Sequence, residues 1–356
     1  MNIRSLPDLA GLVRTRLANP APLLEGQADA EYRIGRSILR QVTDEATAPG
    51  GAAAIRMSNL GNCARQLAYR LDGVPEDGRK RDGRMAATFA MGDATEMLLS
   101  VTLTDALATD MGPEGWRMLG IRSATGQFSV HLNLQVPGTR VPLRIAGHPD
   151  GVLSVPASDP HLGPWVERYG LTRHGEPSVV AAVIEIKSSS SYGVSLVEKR
   201  LAAGQPGWTR ADSYWWQLQA YMHAVRAPLA YVLMLGKDSG HVVGWWQPVD
   251  HQFRDSLRAH LEPVIGLGPE VPRRLADGTE LKPGEATYYK RGGTRRDGTT
   301  YTRGDRKGSS GKLPWNCAYC SHFRACWGES LDERIEKDYR GRPSRALYVK
   351  PIVVEE

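Results

Sequence analysis

Two charged side chains interrupt an otherwise apolar segment at residues 179–188, which reads Val-Val-Ala-Ala-Val-Ile-Glu-Ile-Lys-Ser. Its β-branched and small apolar residues predict a buried strand. Glu185 and Lys187 are two positions apart, so on a strand their side chains point to the same face. Because an unpaired ion in a protein interior is costly, a carboxylate and an ammonium at this place indicate the edge of an active site.

A second carboxylate, Asp150, lies at the end of an earlier predicted strand. Pro149-Asp150 followed by Glu185-Ile186-Lys187 resembles the motif of the PD-(D/E)xK nuclease superfamily, whose reaction is hydrolysis of a phosphodiester. That reaction requires that charge on the phosphate be neutralised and that a hydroxide be generated. Hard divalent cations held by carboxylate oxygens meet both requirements. Asp150 and Glu185 are therefore candidate ligands of Mg²⁺ or Mn²⁺. Lys187 is a candidate to orient or activate the attacking water and to stabilise developing negative charge.

Two predicted helices carry further polar residues. Gln217 and Tyr221 are four positions apart and share one face of the helix that follows the Glu-x-Lys strand. A role at the candidate site and simple packing of Tyr221 into the core are equally good interpretations of this pair. Glu96, in the segment Gly92-Asp-Ala-Thr-Glu96, lies at the border of the apolar stripe of an earlier helix, where a glutamate is usually solvated.

The chain contains four cysteines, Cys63, Cys317, Cys320 and Cys326. The last three form C-x₂-C-x₅-C, and the C-x₂-C part is a common metal-ligand spacing. Four thiolates suit a tetrahedral zinc or a 4Fe–4S cluster, and four unligated thiols are a third interpretation. A site that joins Cys63 to the C-terminal cysteines would clamp distant parts of the chain together.

In chain order, these motifs resemble the PD-(D/E)xK nuclease superfamily, with Pro149-Asp150 followed by Glu185-Ile186-Lys187. The Gln-x-x-x-Tyr and Gly-x-x-x-Glu elements are similar to those of its RecB-type branch. An upstream cysteine with a C-terminal triple resembles the iron–sulfur nucleases, namely the CRISPR-associated exonucleases of the "Cas-four" type and the AddB nuclease domain. The resemblance covers residues 58–327.

The resemblance implies an α/β fold with a restriction-endonuclease-like mixed sheet flanked by helices, closed by an iron–sulfur lid that joins the N- and C-terminal segments. It implies a metal-dependent DNA exonuclease that acts on single-stranded ends in recombination, repair or phage DNA metabolism. The implied cofactors are a 4Fe–4S cluster and Mg²⁺ or Mn²⁺. The implied metal ligands are Glu96, Asp150, Glu185 and the carbonyl of Ile186. The implied DNA-binding residues are Gln217, Tyr221 and Arg65.

Glu96 departs from the family pattern, in which a histidine stands at this position. A glutamate is also a ligand of hard cations, and it favours Mg²⁺ over softer ions. The departure keeps a second interpretation open, in which the chain is a weakly active DNA-binding or CRISPR-adaptation adaptor on the same fold.

A different class of protein is compatible with one short motif. His148 and Asp150 match half of a two-histidine, one-carboxylate iron site of an oxygenase, which His223, His241 or His251 would complete. This interpretation leaves Glu185, Lys187 and the cysteines unexplained.

The formal net charge is +6, and residues 290–312 carry a charge of the same size, with eight basic and two acidic residues. This segment is predicted to be a mobile basic loop, which either grips phosphates or only aids solubility.

No segment is apolar enough to span a membrane and no signal peptide is evident, which predicts an intracellular, cytoplasmic protein. No Walker motif occurs, so a helicase, an annealing protein or a CRISPR integration complex would be a separate partner.

Four parts follow from composition: a peripheral helix and linker at 1–50, a nuclease core at 51–265, a basic loop at 266–312 and a cysteine-rich segment and tail at 313–356. The linker is centred on 46–54, and 156–177 is predicted to be a surface excursion.

Adjacent aromatic residues at 215–216 and 245–246 are core candidates, with at most one of each pair facing a ligand. Hydrophobic spacing predicts helices at 9–17, 58–71 (with Ser58 as N-cap), 85–109, 214–225 and 253–265. It predicts strands at 128–136, 141–155, 179–188, 230–235 and 241–249.

Overall fold

A computed structural model gives the fold of the chain. It describes residues 3–19, 55–76, 83–109, 112–119, 128–168, 178–274, 280–281, 288–294, 300–302, 317, 320–327 and 346–350. The predicted linker at 46–54 and all the charged residues at 295–312 lie outside these ranges. The predicted divisions after residues 50, 265 and 312 stay predictions.

The helices of the described ranges are α1 (Leu9–Ala18), α2 (Ala64–Leu71), α3 (Gly83–Ala108), α4 (Gly163–Arg168), α5 (Ser191–Ala202), α6 (Ser213–Val225), α7 (Phe253–Leu267) and α8 (Phe323–Trp327). The strands are β1 (Arg117–Leu119), β2 (Val130–Leu134), β3 (Leu143–Gly147), β4 (Gly151–Pro156), β5 (Ser178–Ser189), β6 (Leu229–Gly236), β7 (Val242–Pro248), β8 (Arg273–Arg274), β9 (Glu280–Leu281), β10 (Tyr288–Thr294), β11 (Thr300–Thr302) and β12 (Ala346–Lys350). Within the described ranges, no helix is long and apolar enough to cross a membrane.

A mixed five-stranded sheet in the order β1-β4-β5-β6-β7 forms the centre of the molecule. β5 and β6 are parallel, and the other neighbours are antiparallel. The predicted mixed α/β architecture with flanking helices is therefore confirmed. β5 lies in the middle of the sheet and is apolar on both faces, as expected for a strand that is covered from both sides.

Each face of the sheet carries its own apolar cluster. Val183 of β5 packs with residues of α2, α6, α7 and the β2–β3 hairpin. Ile184 and Ile186 point the other way and pack with residues of α1, α3 and α4. This alternation assigns Glu185 and Lys187 to the same face as Val183, together with α6.

The structure corrects the single strand predicted at 141–155. Two strands are present, Leu143–Gly147 and Gly151–Pro156, and His148-Pro149-Asp150 separates them. Pro149 has no backbone N–H to donate to a ladder, and it restricts the residue before it. β3 pairs with β2, whereas β4 pairs with β5, so the break moves the chain from the hairpin into the central sheet.

The structure also contains a helix that hydrophobic spacing does not predict, α5, and its α2 begins later than the predicted start at residue 58. The serine run after β5 leads into α5, where the Ser190 hydroxyl accepts a hydrogen bond from Gly193 N and the Asp238 carboxylate accepts one from Ser191 N at 2.7 Å. Ser58 lies in a short 3₁₀ turn, and the N-cap of α2 is Cys63, whose sulfur accepts a hydrogen bond from Gln66 N. Serine and cysteine at these places satisfy helix-terminal N–H groups rather than interrupting structure.

Two segments predicted to be irregular contain regular structure. The excursion at 156–177 contains α4, whose Trp165 and Val166 are buried against the sheet. The prediction of a mobile basic loop is wrong for Tyr288–Thr294, which pairs with both β11 and β12. Its sequence lacks a strong apolar alternation, and the pairing comes from β11, which follows it closely, and from the distant strand β12.

The tyrosine hydroxyl of Tyr231 holds α1 on the sheet. It accepts a hydrogen bond from Ala10 N at 2.8 Å and donates one to Asp8 at 3.1 Å, and both Ala10 and Tyr231 are buried. Replacement of Tyr231 by phenylalanine leaves a buried helix-terminal N–H unpaired.

We expect Tyr231→Phe to lower the free energy of unfolding by about 1–3 kcal/mol, the penalty of an unsatisfied buried donor. Urea denaturation measures the change. The control is Tyr192→Phe, which removes an exposed hydroxyl and should be neutral. Equal stability of Tyr231→Phe and wild type would contradict this account of how α1 is held.

Candidate active site

The candidate site lies where β4 begins and leaves one edge of β5 without a strand neighbour. The β4–β5 ladder starts at Gly151, opposite Ile184, whereas β6 continues along β5 as far as Ser189. Asp150 precedes this ladder and so lies beside Glu185. Its Oδ2 accepts a hydrogen bond from Ile186 N at 2.6 Å, in the place where a neighbouring strand would supply a carbonyl.

The carboxylate of Glu185 is buried, with 1% of the residue exposed. The Lys187 ammonium forms an ion pair with Glu185 Oε1. Lys187 is thus the partner of Oε1, whereas among the described residues Oε2 of Glu185 has no hydrogen-bond partner. Burial raises the pKa of Glu185 to about 7, with Asp150 adding to the rise and Lys187 opposing it. A buried carboxylate with one unpaired oxygen, next to a second carboxylate, fits a divalent cation because Mg²⁺ is usually held by one or two carboxylates together with waters.

The Ile186 carbonyl belongs to the same edge. In an extended strand the N–H and C=O of one residue point to the same side. Since Ile186 N points to Asp150, the Ile186 carbonyl also points to the β5 edge that β4 leaves open. The backbone thus offers an oxygen beside the two carboxylates.

Lys187 reaches the mouth of the site. Burial opposes its charge, but the carboxylates of Glu185 and Asp150 raise the pKa of Lys187 above its ordinary value. Its ammonium lies 5.5 Å from the centre of the Tyr214 ring. Lys187 is therefore a permanent cation that faces both the carboxylates and the entrance.

Gln217 and Tyr221 of α6 lie together beneath this edge. Gln217 Nε2 donates a hydrogen bond to the Tyr221 hydroxyl at 3.0 Å, and both residues are buried. Burial and the nearby Glu185 carboxylate raise the pKa of Tyr221. A Cβ atom on Gly147 would lie 2.5 Å from Tyr221 Cε1, so glycine at the end of β3 makes room for the ring. Tyr221 thus belongs both to the core and to the surroundings of Glu185.

Glu96 comes from the opposite face of the sheet. It is half-buried in α3, one turn after Gly92, which approaches Ser188 at the end of β5. The described residues contain no set of three or more His, Cys, Asp or Glu side chains arranged around one ion, so Glu96 does not complete a three-carboxylate set here. Its role as a metal ligand stays a prediction.

The four cysteines line one cavity, although they come from segments far apart in the sequence. The cavity has a volume of about 340 Å³ including space open to solvent, and its wall is completed by Arg65, Gln66, Tyr69 and Phe323. A 4Fe–4S cluster takes one thiolate at each of its four irons, and a tetrahedral zinc takes up to four thiolates, so the donor set of this cavity fits either group.

Hydrogen bonds fasten the cysteine-rich segment to α2 and the residues after it. The Tyr69 hydroxyl donates to the Ala325 carbonyl at 3.1 Å, and the Tyr69 ring stacks on buried His322 with centroids 5.8 Å apart. His322 Nε2 lies 3.2 Å from the Val74 carbonyl. The clamp between the two segments therefore includes protein contacts as well as cysteines. His322 was not singled out in the sequence, because a lone histidine carries no spacing signal.

Arg65 is engaged inside the protein. Its Nη1 donates to the Val271 carbonyl at 2.7 Å, and its Nε donates to the Tyr69 hydroxyl at 2.7 Å. These contacts hold it at the cysteine cavity. Its role in DNA binding stays a prediction.

The structure offers no support for an oxygenase site. None of the described histidines joins His148 and Asp150 in a ligand set. His223 Nε2 lies 2.9 Å from the Asp250 carbonyl, and His241 pairs with Glu198. The mixed open sheet also differs from the double-stranded β-helix that this interpretation required.

The aromatic pairs lie mainly in the core. Trp215 and Trp245 are buried in the cluster around α6, and Trp216 and Trp246 pack against the two clusters. Besides Tyr221, the aromatic residue that contacts the candidate site is Tyr214, beside Lys187. The signal for it was available in the sequence, since Tyr214 is three residues before Gln217 on the same helix.

No protein-family model matches the sequence, and no curated protein matches it. Among solved structures, the chain is similar to the protein named SSO0001, with 15% identity, a TM-score of 0.33, and coverage of 67% of this chain and 85% of that chain. It is also similar to the alkaline exonuclease LHK-Exo from Laribacter hongkongensis, with 12% identity and a TM-score of 0.33. A complex of LHK-Exo with dAMP gives 12% identity and a TM-score of 0.34, and both LHK-Exo structures cover 61% of this chain and 88% of theirs. At these TM-scores the similarities carry no argument about activity.

The raised pKa of Glu185 predicts how the stability of the metal-free protein depends on pH. The folded state holds a proton on Glu185 that the unfolded state releases, so ionisation opposes folding as pH rises from about 4.5 to about 7. In the presence of a chelator, we expect wild type to lose about 3 kcal/mol of stability relative to Glu185→Gln across this window.

Denaturant unfolding of both proteins at a series of pH values measures this difference. Glu262→Gln, which removes the charge of an exposed glutamate of α7, is the matched control. A wild type that gains stability relative to Glu185→Gln over the same window would overturn the assignment of a strained buried carboxylate.

Proposed function

We propose that this protein is a divalent-metal-dependent nuclease of the PD-(D/E)xK superfamily that hydrolyses phosphodiester bonds of DNA. The observation that supports it most is the buried Glu185 carboxylate, whose Oε2 has no partner among the described residues and which lies beside Asp150 and Lys187 at an open strand edge. A carboxylate pair of this kind is unfavourable without a cation, whereas a bound Mg²⁺ or Mn²⁺ satisfies it.

Each residue of the edge has a distinct task in this proposal. Asp150, Glu185 and the Ile186 carbonyl hold the cation, and Glu96 is the candidate for a further ligand from α3. The cation supplies charge neutralisation at the phosphate and a more acidic water. Lys187 stays protonated, so it orients the water and stabilises negative charge that develops on the phosphate oxygens. Tyr221 and Gln217 support the site from below.

DNA is the proposed substrate, and exonucleolytic cleavage of single-stranded ends is the proposed mode. The formal charge of +6 suits a polyanion, and Lys290 and Arg291 lie in β10. We propose that a helicase, an annealing protein or a CRISPR integration complex would be a separate chain. The setting is recombination, repair or phage DNA metabolism.

A 4Fe–4S cluster on Cys63, Cys317, Cys320 and Cys326 is the second part of the proposal. Its support is that all four cysteines, which come from two distant segments of the chain, line the same cavity. The cluster would have a structural task, because it would clamp α2 to the cysteine-rich segment.

Removal of the lysine charge tests the chemistry. We expect Lys187→Ala to lower the rate of Mg²⁺-dependent cleavage of end-labelled single-stranded DNA by about 10²–10³-fold, the effect of losing one preorganised group that stabilises developing charge. Asp150→Ala should lower it at least as much, because it also removes a metal ligand. The control is Lys199→Ala, which deletes an exposed lysine of α5. Cleavage that survives both changes at wild-type rate would exclude this site.

Metal analysis tests the cysteine assignment independently of nuclease activity. After anaerobic purification we expect about four irons per chain and a visible absorption band, as one 4Fe–4S cluster requires. Cys63→Ser should lose the iron while retaining the cap of α2, because serine is a favourable N-cap. One zinc per chain, or a folded protein without metal, would refute the cluster.

A further inference from the structure

One face of α6 runs from the buried floor of the candidate site to its entrance. Tyr221, Gln217 and Tyr214 are spaced by four and three residues, so they lie in a row along the helix. Tyr221 and Gln217 are buried, whereas Tyr214 is 46% exposed at the end of the row. The exposed member is thus an aromatic ring at the mouth of the site.

The Tyr214 ring is held in place by two neighbours. Lys187 Nζ lies 5.5 Å from its centre. The Trp208 ring lies 5.2 Å away at an interplanar angle of 35°, and Trp208 is itself buried, with 3% of the residue exposed. Trp208 in turn meets Trp245 edge to face at 5.1 Å. Buried Trp208 therefore supports the Tyr214 ring, while Tyr214 itself stays 46% exposed.

We propose that Tyr214 is a stacking platform for an unpaired nucleobase next to the scissile phosphate. This inference rests on the proposed nuclease function and specifies its substrate. Lys187 is the group that contacts the phosphate, and its distance from the ring assigns the stacked base to a nucleotide that flanks that phosphate. Aromatic rings bind bases of any sequence in this way because every base has a π-face.

The platform predicts a preference for single-stranded or frayed ends. In a duplex both faces of an internal base are already covered by its neighbours, so such a base has no free face for Tyr214. An unpaired terminal base offers one. Of the tryptophan candidates, Trp215 and Trp245 are buried, and Trp216 and Trp246 pack against the two apolar clusters.

Tyr192 provides a matched comparison on the neighbouring helix α5. It is 71% exposed, and among the described residues it has no aromatic neighbour and no contact with Lys187. It is an exposed tyrosine without a rigid support, so it should behave as ordinary surface.

The test combines protein variants with abasic DNA. Binding is measured by fluorescence anisotropy in an Asp150→Asn background with Mg²⁺, where the asparagine oxygen can still accept from Ile186 N. The probes are single-stranded oligonucleotides, each with one abasic nucleotide at successive positions from either end. One position should weaken binding to the protein that retains Tyr214 by between about fivefold and about a hundredfold.

Tyr214→Ala should bind unmodified DNA more weakly by the same factor, and its affinity should fall no further when the abasic nucleotide is at that position. Tyr214→Phe should keep the profile of Tyr214, and Tyr214→Leu should match Tyr214→Ala, because leucine retains apolar bulk without a π-face. Tyr192→Ala should retain the full profile.

The inference is overturned if Tyr214→Ala and Tyr214→Leu keep the complete abasic penalty. If wild type then still cleaves DNA with Mg²⁺ and Lys187→Ala does not, the nuclease proposal stands and only the platform fails. If wild type neither binds nor cleaves DNA, both fail together.

Discussion

The central constraint in this protein is the burial of the Glu185 carboxylate in a strand that is apolar on both faces. Desolvation makes its ionised form unfavourable, Asp150 adds like charge, and Lys187 compensates only in part. Such a group persists only where the surrounding structure forces it. The sheet does so, because β5 is paired on both sides up to Ile184 and cannot rotate its alternate residues away from the α6 face.

The neighbouring elements make sense as supports of this edge. Because the strand is broken at His148-Pro149-Asp150, the Asp150 side chain, instead of a strand carbonyl, accepts the hydrogen bond from Ile186 N. Gly147 leaves space for Tyr221, so the hairpin approaches α6 closely. The site is therefore a product of where strands stop as much as of which residues they contain.

The cysteine cavity and the carboxylate edge are linked through backbone contact. Gly61, which precedes α2, packs directly against the backbone of Ser213 at the start of α6, with no room for a side chain between them. α2 carries Cys63, and α6 carries Tyr214, Gln217 and Tyr221. A clamp that fixes α2 to the cysteine-rich segment thus also fixes the start of the helix that lines the candidate active site.

The sequence by itself determined the mixed α/β class, the central strand with its same-face Glu185 and Lys187, the α6 helix and the four candidate sulfur ligands. These features are local, since periodicity and spacing along a single element carry them. Tertiary structure alone decided that residues 141–155 form two strands and that Glu96 approaches from the opposite face of the sheet. It also decided that Arg65 donates its hydrogen bonds inside the protein and that Tyr214 is exposed beside Lys187. Each of these depends on which distant segment lies alongside, and strand pairing and burial between remote parts of a chain leave no periodic trace in either partner.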